Sequence, residues 1–251
     1  NVTASLGGTI NAAAISAFAT RELNGSSNSA EATAIGGTGG LIGVDATVTE
    51  AKDTSNLYAT VADDAVITVT GAFALGALGT TRQKGDSNSA AVGLIAAGIT
   101  KSTAISDSDT LTTIGEDAQI KAGTLSATAT STDTTRTVTT AGAGGVLAGA
   151  AAAPTSTNIA ITRTTVGEGA LIDTKDNAVG TVVLGADHTG QVEAQVITTA
   201  LGALSGAGAD AGNTVNSTSE VVFGVDAQVK ARDIAADANN RAYKLGSYEN
   251  G

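Results

Sequence analysis

The chain has 251 residues, 42 % apolar but only 2 % aromatic, with 32 Gly, one Pro and no Trp, Met or Cys. Its formal net charge of −11 argues against nucleic acid and anionic membrane as partners, and the absence of Cys excludes disulfides and thiol chemistry. A core without large aromatics suits regular layers that lie close together, and the Thr, Ser, Gly and Asn that fill most of the rest are a strand-and-turn vocabulary.

The first residues, NVTASLGGTINA, already read as the middle of a pattern. No charged stretch followed by an apolar one precedes them, so the chain is expected to be a segment of a longer protein without its export signal. The phrase GGTINA is the first of a series. It is followed by DDAVITV, EDAQIKA, EGALIDT and VDAQVKA, each centred on one branched residue: Ile10, Ile67, Ile120, Ile172 and Val229. The spacings are 57, 53, 52 and 57 residues. Such self-similarity is the mark of a repeat architecture, here with a period of about 55 residues and small insertions in loops.

Within each repeat the elements follow in a fixed order. After the phrase comes an alternating run, such as TLSATATSTDTTRTVTT at 124–140. A Gly-rich centre follows: IGGTGGLIG at 35–43, VGLIAAG at 92–98, AGAGGVLAG at 141–149 and ALGALSGAG at 200–208. A second alternating run, such as NIAITRTT at 158–165, leads to the next phrase. Val44, Ala46 and Val48 alternate with Asp45, Thr47 and Thr49. Ile159 and Ile161 alternate with Ala160 and Thr162, and Leu125, Ala127 and Ala129 with Ser126, Thr128 and Thr130. This is period two, with the branched residues expected on the buried face of a strand. Helical spacing is not sustained, and Gly density opposes helix by up to about 1 kcal/mol per Gly relative to Ala.

A strand with one apolar face cannot bury that face alone, and stacked repeats cover one another. The expected fold is therefore all-β: a single continuous parallel β-helix or β-solenoid over 1–251. Ile67, Ile120, Ile172 and Val229 form one internal stack. The turn before each needs Gly or a short acid, met by Asp63-Asp64, Glu116-Asp117, Glu168-Gly169 and Val225-Asp226. Internal Ala implies a thin interior, narrower than the roughly 10 Å between ordinary packed sheets. The Gly-rich centres are expected as turns or places of close backbone approach. One wide coil per repeat and two narrow ones both fit the spacing. The last stretch, RAYKLGSYENG at 241–251, reads as continuation of an incomplete fifth repeat or as a contact region.

VGEGALIDT at 166–174 and AGAGGVLAGAAAA at 141–153 resemble the repeats of leukotoxin-type filamentous adhesins of Gram-negative bacteria, close to two-partner-secreted haemagglutinins. The resemblance covers the whole chain as a repeat style. It implies export across the outer membrane, a β-helical rod at the cell surface, and work in attachment to cells or damage to them. Its partners would be neighbouring repeats, further copies end to end, and a host-cell or matrix receptor. Neither nucleic acid nor membrane insertion is implied, since the longest apolar run, 142–153, is too short to span a bilayer.

No catalytic, cofactor-binding or metal-binding residue is assigned, and no enzyme activity is expected. The single histidine, His188 in GADHTGQ, has no second His or Cys to share a metal and no G-x-S-x-G elbow, so it is expected in an exposed loop. Stacked turn acids suggest Ca²⁺, but the calcium-binding nonapeptide is absent and GGTGG at 36–40 lacks its Asp. Thr-rich runs suggest ice binding. The aligned stretches ISAFAT, GAFALG, LSATAT and NAVGTV break that ladder. A polysaccharide-cleaving β-helix enzyme is the alternative of a different class. It requires clustered acids or bases that interrupt the repeat.

Overall fold

The computed structural model describes residues 1–25, 27–176 and 180–245. It is all-β, with parallel strands and no helix among the described residues. β1 (Val2–Leu6) is the end of a returning pass, and the first repeat then runs through β2 (Thr9–Ala12), β3 (Ile15–Arg21) and β4 (Ala30–Val61). The second holds β5 (Val66–Val69) and β6 (Ala72–Ile114), and the third β7 (Gln119–Lys121), β8 (Thr124–Gly144) and β9 (Leu147–Val166). The fourth holds β10 (Leu171–Asp173), β11 (Thr181–Leu201), β12 (Leu204–Ala209) and β13 (Gly212–Phe223). The fifth begins with β14 (Gln228–Lys230) and β15 (Asp233–Lys244).

Every pairing is parallel and joins equivalent positions of neighbouring repeats. Ile10, Ile67, Ile120, Ile172 and Val229 are successive register partners in a five-stranded sheet of the short strands. The long strands form a second sheet of ten. In it β8 pairs with the first half of β6 and with β11, while β9 pairs with the second half of β6 and with β12 and β13. Each repeat thus makes one pass outward and one back, and strands pair across a full repeat rather than half of one. At about 3.3 Å per residue, the 21 residues of β8 span about 70 Å.

Three zones lie between the passes. Near the short strands is an apolar wedge: Phe73, Leu75, Leu125 and Leu184 of outward passes, Leu57, Ile114 and Val166 of returning ones, and the Ile ladder. Next to the far turn sits a cluster of Ala alone, including Ala91, Ala141 and Ala150. Between these two, the passes meet through hydroxyls: Ser102 with Thr139 at 2.5 Å, Thr47 with Ser87 at 2.9 Å and Thr137 with Ser156 at 3.1 Å. The interior is thin, as Ala implied. A Cβ built on the inward Gly85 would lie 3.0 Å from the carbonyl oxygen of Thr103 on the facing pass.

Each repeat turns into the short strand, out of it and at the far end, and two of these corners carry a sequence signature. At the corner before the Ile ladder, Asp64, Asp117, Gly169 and Asp226 all have positive φ, between 53° and 65°. Gly and Asp tolerate this region where most residues are strained, which accounts for the short acids. At the far turn, Gly93, Gly145 and Gly202 stack so closely that a Cβ on any of them would collide with a carbonyl of the preceding repeat. The Gly-rich centres are therefore turns and close approaches at once.

The alternation is as expected, but its sense is reversed on the returning pass. Val48 is 72 % exposed while Thr47 and Thr49 are buried, and Ile159 and Ile161 face outward while Ala160 and Thr162 face in. The thin seam admits Ala, Ser and Thr and expels the larger branched side chains. On the outward pass Leu125, Ala127 and Ala129 do face inward. The register also corrects the Thr alignment: ISAFAT (15–20) lies against FALGAL (73–78), LSATAT (125–130) and VVLGAD (182–187). The loop between β10 and β11 displaces the fourth repeat, and part of NAVGTV falls outside the described residues. The ladder stays broken, with Thr130 between Leu78 and Asp187. Arg241–Lys244 continue β15 in register with Thr189–Val192; residues 246–251 lie outside the described residues.

Candidate functional site

The hydroxyl seam contains one charged cluster, built from four strands. Asp133 projects inward from β8 and is fully buried. Its Oδ1 accepts hydrogen bonds from Thr81 (2.6 Å) and Ser106 (3.2 Å), and its Oδ2 accepts from Ser108 (2.9 Å). Thr81 lies on the outward half of β6 and Ser106 and Ser108 on its returning half, so the carboxylate ties both passes of one repeat to the next.

His188, expected in an exposed loop, instead lies on β11 with 1 % of its surface exposed. Its flanking Gly185 and Gly190 look like turn residues but sit within the strand, and Gly190 leaves room beside the ring. Nδ1 is 2.7 Å from Oγ of Ser131 and 3.6 Å from Oδ2 of Asp133. Ser131 also pairs with Thr162 at 2.9 Å. The Nε2 of His188, the Oδ1 of Asn158 and both amide atoms of Gln83 are buried without a hydrogen-bond partner among the described residues.

Burial shapes the electrostatics. It raises the pKa of Asp133, against the hydroxyl hydrogen bonds and the His188 charge, which lower it. Burial likewise lowers the pKa of His188, which the Asp133 charge opposes. A hydroxyl-activating relay places acid and nucleophile on opposite nitrogens of the imidazole. Here Ser131 and Asp133 both face Nδ1, and the group is enclosed. The arrangement fixes strand register through polar contacts; it does not present a nucleophile to a substrate.

The turn acids form a separate set. Asp63 Oδ1 accepts from the backbone N–H of Glu116 in the next repeat at 2.8 Å, so this carboxylate ties one corner turn to another. No group of three or more His, Cys, Asp or Glu able to hold a metal occurs among the described residues. In-register ion pairs join repeats: Arg136 reaches the buried Glu193, and on the outer surface Lys84 pairs with Glu31 and Arg163 with Glu220. Exposed pairs of this kind each contribute roughly 0–1 kcal/mol.

Sequence reasoning missed the cluster because its members stand 25 to 57 residues apart and meet across the passes. The one available signal was STD at 131–133, where a carboxylate breaks an inward row otherwise made of small and hydroxyl residues. No protein-family model, curated protein or solved structure matches the chain.

Proposed function

We propose that this chain is a stretch of parallel β-solenoid, the stiff shaft of an extracellular fibre displayed on or secreted from a bacterial cell, as in filamentous adhesins. The observation that carries the reading is the unbroken register of the Ile10, Ile67, Ile120, Ile172 and Val229 ladder through successive repeats. Repeats that contact only their neighbours build extended shafts whose length follows repeat number. The adhesin resemblance of VGEGALIDT and AGAGGVLAGAAAA supports the cell-surface setting and a role in attachment. Electron microscopy of the purified chain tests the shape. Flat uniform particles about 70 Å wide are expected from the pass length. Round, irregular particles would reject the solenoid. Saturable binding to cells or matrix proteins would assign adhesion to this stretch itself.

A second reading, a self-assembling filament subunit, is favoured by one observation. Among the described residues β15 is exposed along its whole length and pairs along one edge with β11, and an unpaired edge of a parallel stack invites the addition of a further copy. Filaments of constant width in the same images would select it. A polysaccharide-acting enzyme, the third reading, calls for acids on an open face, and hydrolysis of acidic or neutral glycans would establish it.

A further inference from the structure

Next to the far turn, the outer face of the returning passes carries a step-like relief. Ile42, Ile95, Leu147 and Leu204 are register partners and form a ridge along the stack, from 41 % exposed at Leu147 to 70 % at Leu204. Two residues further along each strand, Val44, Ala97, Gly149 and Gly206 are partners in turn; the last three form the floor of a groove of about 460 Å³, and the exposed Val44 bounds it at the first repeat. The ridge is large because it consists of Ile and Leu, and the groove is an open, shallow recess because Gly149 and Gly206 have no side chain and Ala97 only a methyl group.

This face is also free of charge. Residues 32–44, 87–100, 137–162 and 194–209 contain no Asp, Glu, Lys or Arg, although the chain as a whole carries a net −11. Two copies repel each other in most orientations and least when these ends meet. The ridge and groove rows offer no side-chain hydrogen-bonding group to read a polar partner. A ridge beside a groove of the same pitch, about 4.8 Å per repeat, is complementary to its own copy turned by a two-fold axis.

We infer that this apolar face is a side-by-side docking surface for a second copy of the chain, the ridge of each seated in the groove of the other. The contact goes beyond the shaft reading and is distinct from end-to-end growth, because a two-fold pairing closes at two copies. The ridge spans four repeats, about 19 Å along the stack, and the groove three, about 14 Å. That buries a few hundred Å² per copy, below the roughly 800 Å² of a standard interface, so the pairing is weak for this chain and strengthens with each added repeat.

Sedimentation equilibrium over a wide concentration range tests the contact. A monomer–dimer equilibrium is expected, tighter in high salt, where the mutual repulsion of two acidic chains is screened. Gly149→Leu with Gly206→Leu fills the groove; a Cβ at either position meets nothing within 4 Å, so the fold is undisturbed. That double variant, and separately Leu147→Asp, should weaken the dimer by about tenfold or more. A monomer at every concentration, or a dimer indifferent to both variants, overturns the inference. So does co-sedimentation of the chain with phosphatidylcholine vesicles in place of self-association. Open filaments of growing length would instead report end-to-end stacking.

Discussion

Asp133 and Gly190 are register partners: neighbouring repeats put a buried carboxylate and a glycine at the same inward position. The absence of a side chain at Gly190 leaves room beside His188. A Cβ there would lie 3.1 Å from Nε2 of His188 and 3.4 Å from Nδ2 of Asn158. Gly190→Ala is therefore expected to cost about 1 kcal/mol from tight packing. Gly190→Asp would stack a second buried carboxylate on Asp133 and cost about 3–5 kcal/mol. Urea denaturation of the two variants checks the order; equal losses would contradict the enclosed seam.

The pH response of the seam follows from His188. Burial lowers its folded pKa, so on acidification the unfolded chain takes up the proton first. Its contribution to stability is complete above the unfolded value of about 6.5 and is lost as pH falls through the folded value. Asp133 works in the opposite sense. Its raised pKa gives a contribution present below about 3.9 and lost as pH rises through the folded value. On acidification below about pH 6.5 the native chain should lose stability relative to His188→Gln, read as the difference between their denaturation midpoints. Parallel curves for the two would remove His188 from the account.

The Ile ladder should behave as a core. Ile120, 1 % exposed and flanked on both sides, is expected to lose about 2–5 kcal/mol on change to Ala and about 0.5–1.5 kcal/mol on change to Val. Val229, partly buried at the edge of the same ladder, should lose less on change to Ala. Chemical denaturation compares them, and an equal loss at both sites would count against the stack.

Two adjacent glycines separate close approach from mere flexibility. A Cβ at Gly145 would collide with the carbonyl of Gly93, whereas one at Gly144 meets nothing within 4 Å. Gly145→Ala should destabilise by about 1–3 kcal/mol. Gly144→Ala should be neutral or stabilise by a few tenths to about 1 kcal/mol, because it restricts the unfolded chain. Thermal unfolding of the pair decides.

The corner acid is a backbone device, and Asp117 shows it with φ of 53°. Asp117→Gly should leave stability nearly unchanged, while Asp117→Val should cost about 1–2 kcal/mol for entering the left-handed region. Melting temperatures measure both; a Val variant as stable as the native chain would show that the turn relaxes.

Repeat length, strand type, the Ile register and both turns were legible in the sequence, because each rests on a local signal repeated several times. The inward or outward sense of the returning pass was not. Period two states that Val48 and Thr49 face opposite ways without stating which is inside, and hydrophobicity picks the wrong one where the facing pass stands too close for Val. His188 was hidden by its neighbours, since Gly185 and Gly190 read locally as a loop, whereas both lie within β11 and Gly190 serves as clearance for the ring. The Asp133 cluster depends on contacts between passes that no single stretch encodes.

The constant register has a kinetic meaning. Laying down one further repeat closes a loop of about 55 residues, an entropic cost of about 3.6 kcal/mol. That cost is met on an edge already formed, where each new strand finds its hydrogen-bonding partners set out at the correct spacing. The first repeat has no such edge and faces the full barrier of non-local pairing. Winding should therefore begin slowly and once, then proceed quickly in one direction. A chain that emerges from a narrow passage into open solvent would be drawn forward by its own folding, each finished repeat barring the way back.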